Sequence, residues 1–169
     1  MFIIGRAANE SETKQLETES SKYKDILHLD ITENMNDGKT YHFFKQSYLK
    51  FKNEYKFVMK ADDDIFLHLK NLKTKLNTLS EHGTGTVFGI PNYEEYGEKW
   101  RYLAGAAYTL SIDLVEFIAT DDWVSKHING HEDQVTYDWL NNVGKIEHFV
   151  TEKTLWSMRL YIGISHLPG

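Results

Sequence analysis

Residues 55–66 read YKFVMKADDDIF, which is the most informative stretch of the sequence. Residues 55–59 predict a strand, and the three acids of 62–64 follow at the carboxyl end of that strand. Three adjacent carboxylates repel one another, so a strand end is a poor place for them unless a cation compensates their charge. Because alternate side chains of an extended backbone share a face, Asp62 and Asp64 can point together toward Mg²⁺ or Mn²⁺. The alternative is a solvated turn in which Asp64 caps a following helix.

The segments around this stretch alternate in type. Apolar or alternating runs predict strands at 2–4, 25–31, 86–90, 105–110 and 146–150, and helical spacing predicts helices at 9–22, 40–51, 67–79, 111–119 and 131–142. Strands that alternate with helices indicate an α/β sandwich with a mostly parallel central sheet. Such sheets bind ligands beyond the carboxyl ends of their strands, which places residues 62–64 at the mouth of the site.

Length and charge exclude several classes of protein. The 169 residues predict one domain over 1–169. With 19 Lys and Arg against 25 Asp and Glu, the net charge of −6 argues against nucleic acid and anionic lipid as partners. The absence of cysteine excludes a disulfide scaffold, a thiolate zinc site and cysteine catalysis. No apolar run reaches the ~18 residues of a membrane span, so we expect no membrane contact by this chain.

Three further features are open to two interpretations each. Glu132 and Asp133 are either ordinary acids at a helix start or include a general base that takes a proton from an attacking hydroxyl. His166 is either a packed or surface residue or an imidazole ligand of the same cation. The small-residue strand around Gly105 and Ala106 allows either close approach of a ligand or tight packing of strand against helix.

Taken together and in this order, the segments resemble the β-1,3-galactosyltransferase family, glycosyltransferase family 31, which includes fringe-like enzymes. Residues 60–66 are close to the family's most specific motif, K.DDDVF. The other matching segments are 2–5, the "Y.DIL" strand at 23–27, the "D.Y.NLT.KT" region at 30–40, "Y..GGGYVLS" at 102–111 and "EDV" at 132–133. The ordered set is far more specific than any one of these segments alone.

The resemblance implies a Rossmann-like sandwich of the GT-A type that transfers a hexose, galactose or N-acetylhexosamine, from a UDP-sugar to the 3-hydroxyl of an acceptor glycan with inversion. It implies Mn²⁺ or Mg²⁺ held by Asp62, Asp64 and His166, a donor site that includes Lys60, Asp62, Asp63, Gly105, Ala106 and Glu132, and Asp133 as general base. Inversion needs the base across the sugar from the metal, so we expect 62–64 and 132–133 to face one another across a cleft.

The resemblance also implies a Golgi location, a glycan or glycoprotein acceptor, and a chain that starts after the family's first strand and its "R..IR.TW" segment. Ala106 and Ala107 replace two glycines of the family pattern, and Gln134 replaces an aliphatic residue. The alternatives are a catalytically inactive relative that binds nucleotide sugar or glycan, a metal-dependent phosphohydrolase, and a plain structural domain.

Overall fold

A computed structural model describes residues 1–81, 83–93, 100–142, 144–151 and 156–158. The strands are β1 (Phe2–Arg6), β2 (Ile26–Thr32), β3 (Phe57–Ala61), β4 (Ile65–Leu67), β5 (Thr86–Tyr93), β6 (Trp100–Ser111), β7 (His148–Thr151) and β8 (Trp156–Met158). The helices are α1 (Glu10–Tyr23), α2 (Lys39–Phe51), α3 (Leu69–Leu79), α4 (Ile112–Thr120), α5 (Asp122–Lys126) and α6 (Glu132–Asn142). Among the described helices, none combines the length and the apolar composition needed to cross a bilayer.

The first β-α-β unit forms as the sequence predicts. Asn9 caps α1, and its side chain accepts a hydrogen bond of 3.0 Å from the backbone N–H of Glu12. The helix ends at Tyr23, and the C-cap residue Lys24 has a left-handed φ of 56°. Strands β1 and β2 then pair in parallel, with Phe2 opposite Ile26.

The largest sheet is mixed, which corrects the prediction of a mostly parallel one. Its strand order is β3-β6-β5-β7, with β6 antiparallel to both β3 and β5, and β5 parallel to β7. Only residues 94–99 separate β5 from β6, whereas a parallel pair needs a crossover of about a dozen residues or more. The α/β class is confirmed, and the GT-A arrangement remains a prediction.

The predicted helix cap at Asp64 is wrong. Residues Ile65–Leu67 form strand β4, which pairs antiparallel with β8, so the chain stays extended beyond the acidic triplet. Helix α3 begins only at Leu69, with His68 in the N-cap position. The turn of residues 62–64 therefore joins two strands, and the helix dipole of α3 does not act on Asp64.

The main core lies where α2, α4 and α6 cover the central strand β6. Its buried residues are Tyr41, Phe44, Val87, Leu103, Tyr108, Leu110, Leu114, Val115, Ile118, Val124, Trp139 and Leu140. Ser111 precedes α4 as predicted, but its hydroxyl accepts a hydrogen bond of 2.9 Å from the N–H of Thr86 and ties β5 to the start of the helix. Packing of α6 on β6 brings Glu132 and Asp133 to the strand that neighbours β3.

Candidate functional site

Lys60 links the two acidic clusters of the sequence. Its ammonium group donates hydrogen bonds to Oδ1 of Asp62 at 2.6 Å, to Oε1 of Glu132 at 2.7 Å and to the carbonyl oxygen of Gly105 at 2.5 Å. An ammonium has three N–H donors, and each one is used here. A single side chain thus joins the end of β3, the strand β6 and the first turn of α6.

The register of β3 against β6 explains this convergence. Lys60 lies directly opposite Tyr108, and directly opposite residues of an antiparallel pair share a face of the sheet. The pairing continues past the end of β3, since the N–H of Asp62 donates to the carbonyl oxygen of Ala106 at 2.9 Å. Lys60 and Asp62, two residues apart on an extended chain, therefore lie on the same face as α6.

Glu132 is held at both carboxylate oxygens. While Oε1 accepts from Lys60, Oε2 lies 3.2 Å from the hydroxyls of both Thr40 and Tyr108. The hydroxyl of Thr136 lies 3.1 Å from that of Tyr108 and donates to the backbone carbonyl of Glu132 at 2.7 Å. These contacts attach the first turn of α6 to both β6 and α2.

Gly105 leaves room for α6, which approaches its backbone closely. A methyl group at this position would lie 2.7 Å from Oε1 of Glu132 and 3.6 Å from Oδ2 of Asp133. The first distance is well below van der Waals contact, so a larger residue would displace the carboxylate that Lys60 holds. Tight packing of strand against helix is therefore present at Gly105, and its place in a donor site stays a prediction.

Burial and mutual contact shift the pKa values of Lys60, Glu132 and Tyr108. Burial lowers the pKa of Lys60, but hydrogen bonds to Asp62 and Glu132 outweigh it and leave this pKa above its ordinary value. Burial raises the pKa of Glu132, and the hydrogen bond from Lys60 offsets only part of that rise. The two directions agree with the geometry, because Lys60 has two carboxylates while Glu132 shares its cation with Asp62. Burial and the charge of Glu132 place the pKa of Tyr108 well above 10.0.

The remaining acids of the two clusters are more accessible. Asp63 and Asp64 are exposed, and neither has a polar side-chain partner within the described part of the chain. Asp133 is partly exposed, and its Oδ1 accepts a hydrogen bond of 2.8 Å from the N–H of Gln134. His166 lies outside the described residues. Within those residues, no group of three His, Cys, Asp or Glu side chains is gathered as a metal site.

Sequence reasoning missed Thr40, Tyr108 and Thr136. Tyr108 and Thr40 lie inside segments that it singled out, at 102–111 and 30–40. Nothing in the sequence indicates that their hydroxyls meet one carboxylate, because Thr40 and Glu132 are separated by 92 positions. The only available signal was helical spacing, which places Thr136 one turn after Glu132.

A second polar cluster ties β1 to α2. Glu33 accepts hydrogen bonds from the N–H of Gly5 at 2.5 Å and from the ammonium of Lys39, the first residue of α2. Partial burial raises the pKa of Glu33, but its bonds to Lys39 and Gly5 outweigh burial and lower it. A cavity of about 710 Å³ adjoins this cluster between β1 and α1. None of Lys60, Asp62, Gly105 and Glu132, which we call the Lys60 network, lines this cavity.

Comparison with known proteins finds similarity to glycosyltransferases. The sequence model of a family described as "Galactosyltransferase" matches residues 1–99, which include the acidic triplet. "Probable beta-1,3-galactosyltransferase 13" of Arabidopsis thaliana is 30% identical over 82% of this chain and 45% of its own length. "Probable beta-1,3-galactosyltransferase 12" of the same plant is 29% identical over 82% of this chain and 42% of its own length.

A mammalian protein is similar over a shorter region. The mouse "Lactosylceramide 1,3-N-acetyl-beta-D-glucosaminyltransferase" is 32% identical over 60% of this chain and 32% of its own length. The chain thus spans less than half the length of these relatives.

Proposed function

Because the chain belongs to the galactosyltransferase family, we propose that it transfers a hexose, galactose or N-acetylhexosamine, from a UDP-sugar to the 3-hydroxyl of an acceptor glycan. The observation that carries this proposal is the contact of one ammonium group, that of Lys60, with both Asp62 and Glu132. It joins Asp62 of the acidic triplet to Glu132, the neighbour of the candidate general base Asp133, and the facing of the two clusters across a cleft stays a prediction.

The donor site of the proposal lies at the carboxyl end of β3. Its predicted members are Lys60, Asp62, Asp63, Gly105, Ala106 and Glu132, all on β3, β6, α6 or the turn after β3. Asp62 and Asp64 would hold Mn²⁺ or Mg²⁺, and their exposed carboxylates suit such a hard cation. When bound, the cation would supply charge stabilisation for the leaving diphosphate.

Asp133 is the proposed general base. The acceptor's 3-hydroxyl gives its proton to the Asp133 carboxylate as its oxygen bonds to the anomeric carbon of the donor. The bond from that carbon to the diphosphate oxygen breaks at the same time, and UDP leaves with the electron pair. Attack opposite the leaving group inverts the anomeric carbon, and a positioned base contributes ~10²–10⁴-fold to such a step.

The location and the acceptor class complete the proposal. Membership in the family favours the Golgi lumen and a glycan or glycoprotein acceptor. The mouse relative's name contains a 1,3-linked N-acetylglucosaminyl transfer to lactosylceramide, so N-acetylglucosamine and galactose are the first donors to compare.

The test begins with calorimetric titration of UDP into the protein with and without Mn²⁺. We expect binding that requires Mn²⁺, that is lost in Asp64→Ala, and that persists in Asp30→Ala, a control acid paired with Arg6 on the surface. UDP release from UDP-galactose and UDP-N-acetylglucosamine is then measured with 3-hydroxyl acceptors.

The outcomes separate the alternatives. Metal-dependent binding with acceptor-dependent UDP release supports the transferase. Binding without release under any donor and acceptor identifies a binding relative of the family. Phosphate release from simple esters would identify a phosphohydrolase and contradict the proposal.

A further inference from the structure

The phenol of Tyr108 is buried beneath the first turn of α6 and cannot reach a substrate. Its side chain is 0% exposed, yet its hydroxyl lies within hydrogen-bond distance of Oε2 of Glu132 and of Thr136. Strand β6 places it opposite Lys60, which holds the other oxygen of Glu132. Any effect of Tyr108 on chemistry must therefore pass through the residues it touches.

A count of donors and acceptors assigns different tasks to Glu132 and Asp133. Thr136 uses its own proton on the carbonyl of Glu132, so the proton of Tyr108 is shared between Thr136 and Oε2 of Glu132. With Lys60 on Oε1, both oxygens of Glu132 have protein partners. In the described structure, Oδ2 of Asp133 has no such partner, and of the two Asp133 oxygens it is the one nearer to a methyl group placed at Gly105.

We propose that Tyr108 is a positioning residue for the transfer reaction. Together with Thr40 it fixes Glu132, and Glu132, the first residue of α6, sets the place at which Asp133 presents its free oxygen. This inference rests on the proposed function, in which Asp133 is the base. In this arrangement Glu132 has a positioning role because protein groups contact both of its oxygens, whereas Asp133 keeps one oxygen free to accept the proton of the acceptor hydroxyl.

The chain contains a matched control pair. Tyr48 on α2 donates a hydrogen bond to Glu116 on α4. Like Tyr108, it is a tyrosine whose hydroxyl contacts the carboxylate of a glutamate on a different element. Unlike Tyr108, Tyr48 is only partly buried, and neither Tyr48 nor Glu116 touches the Lys60 network. Tyr48→Phe also removes a phenolic hydroxyl that contacts a glutamate, but it leaves the contacts of Glu132 and Lys60 unchanged.

The experiment measures Asp133 directly in the substrate-free protein. Carbon-13 NMR follows the side-chain carboxyl signal of Asp133, assigned by its loss in Asp133→Asn. We expect Tyr108→Phe to move this signal and Tyr48→Phe to leave it in place. An unmoved signal in folded Tyr108→Phe would overturn the proposal. If that variant does not fold, Thr40→Val removes the other hydroxyl that holds Oε2 of Glu132. We expect it to move the Asp133 signal as well, and an unmoved signal would overturn the proposal.

Turnover supplies the second readout. Tyr108→Phe should lower kcat about tenfold and leave the donor KM within about twofold, because misplacement of a base affects the chemical step. In the Glu132→Gln background the same change should add no further loss, since Tyr108 acts through Glu132. Independent losses that multiply would contradict the proposal.

The two readouts distinguish failure of this inference from failure of the proposed function. A wild-type chain that releases no UDP would contradict the proposed function. The NMR signal would still decide whether Tyr108 and Glu132 position Asp133.

Discussion

Lys60 of β3 and Tyr108 of β6 lie directly opposite each other in an antiparallel pair, and each contacts one oxygen of the Glu132 carboxylate. One oxygen accepts from an ammonium at 2.7 Å and the other lies 3.2 Å from a phenol. Side chains from two adjacent strands of one sheet therefore contact the two oxygens of Glu132. Because Asp62 shares the same ammonium, the first acid of the triplet is joined to the start of α6.

Lys60→Met should destabilise the protein markedly. It removes the cation from Glu132, whose side chain is only 16% exposed, and loss of one partner of a buried pair costs about 3 kcal/mol. Urea denaturation measures the change in the free energy of unfolding. Lys39→Met, which breaks the more exposed pair with Glu33, should cost about 1 kcal/mol or less. Equal losses in the two variants would show that the Lys60 pair has no special role.

Gly105→Ala should disturb the site although it adds only one methyl group. That methyl would lie 2.7 Å from Oε1 of Glu132, so the carboxylate must leave Lys60 or β6 must shift, at a cost of about 1–3 kcal/mol. Thermal unfolding measures the cost. Glu132→Asp in the Gly105→Ala background should recover part of it, because the shorter side chain withdraws from the methyl. If Gly105→Ala alone unfolds at the wild-type temperature, the close contact is wrong.

Glu132 and Glu33 should contribute to stability with opposite pH dependence. Burial raises the pKa of Glu132 above 4.5, so its favourable contribution is complete below pH 4.5 and is lost as pH rises through the raised pKa. The pKa of Glu33 is raised by burial but lowered overall by Lys39 and Gly5, so its contribution is complete above pH 4.5 and is lost as pH falls through the lowered pKa.

The measurement is the free energy of unfolding against pH for wild type, Glu132→Gln and Glu33→Gln. The advantage of wild type over Glu132→Gln should shrink as pH rises above 4.5, whereas its advantage over Glu33→Gln should shrink as pH falls below 4.5. Two difference curves of the same slope would contradict the assignment of the directions.

Asp133→Asn should abolish turnover and spare donor binding. The amide cannot accept a proton as the carboxylate does, so kcat should fall by ~10²–10⁴-fold while the affinity for UDP in the presence of Mn²⁺ changes little. Steady-state UDP release and calorimetry measure the two quantities. Asp138→Asn, an exposed acid on the same helix, serves as control and should keep wild-type kcat. Loss of UDP affinity in Asp133→Asn would show that Asp133 binds the donor.

The sequence predicted most elements because their causes are local. Asn9 caps α1 within one turn, and alternating apolar residues define β2. The direction of the strands in the main sheet was not predictable in the same way, because periodicity does not indicate which neighbour a strand finds. The error at Asp64 has a related cause, since residues 65–67 pair with a strand about 90 positions later.

The candidate chemistry of this protein can be recognised in its sequence as an acidic triplet at a strand end, an acidic pair at a helix start and small residues between them. Which of these acids have protein partners and which have a free oxygen follows from the tertiary structure alone. Glu132 is held because the register of β3 against β6 places Lys60 beside Tyr108, and α2 brings Thr40 across 92 positions. Such contacts depend on strand register and helix packing, which link residues far apart in the chain and leave no mark on local sequence pattern.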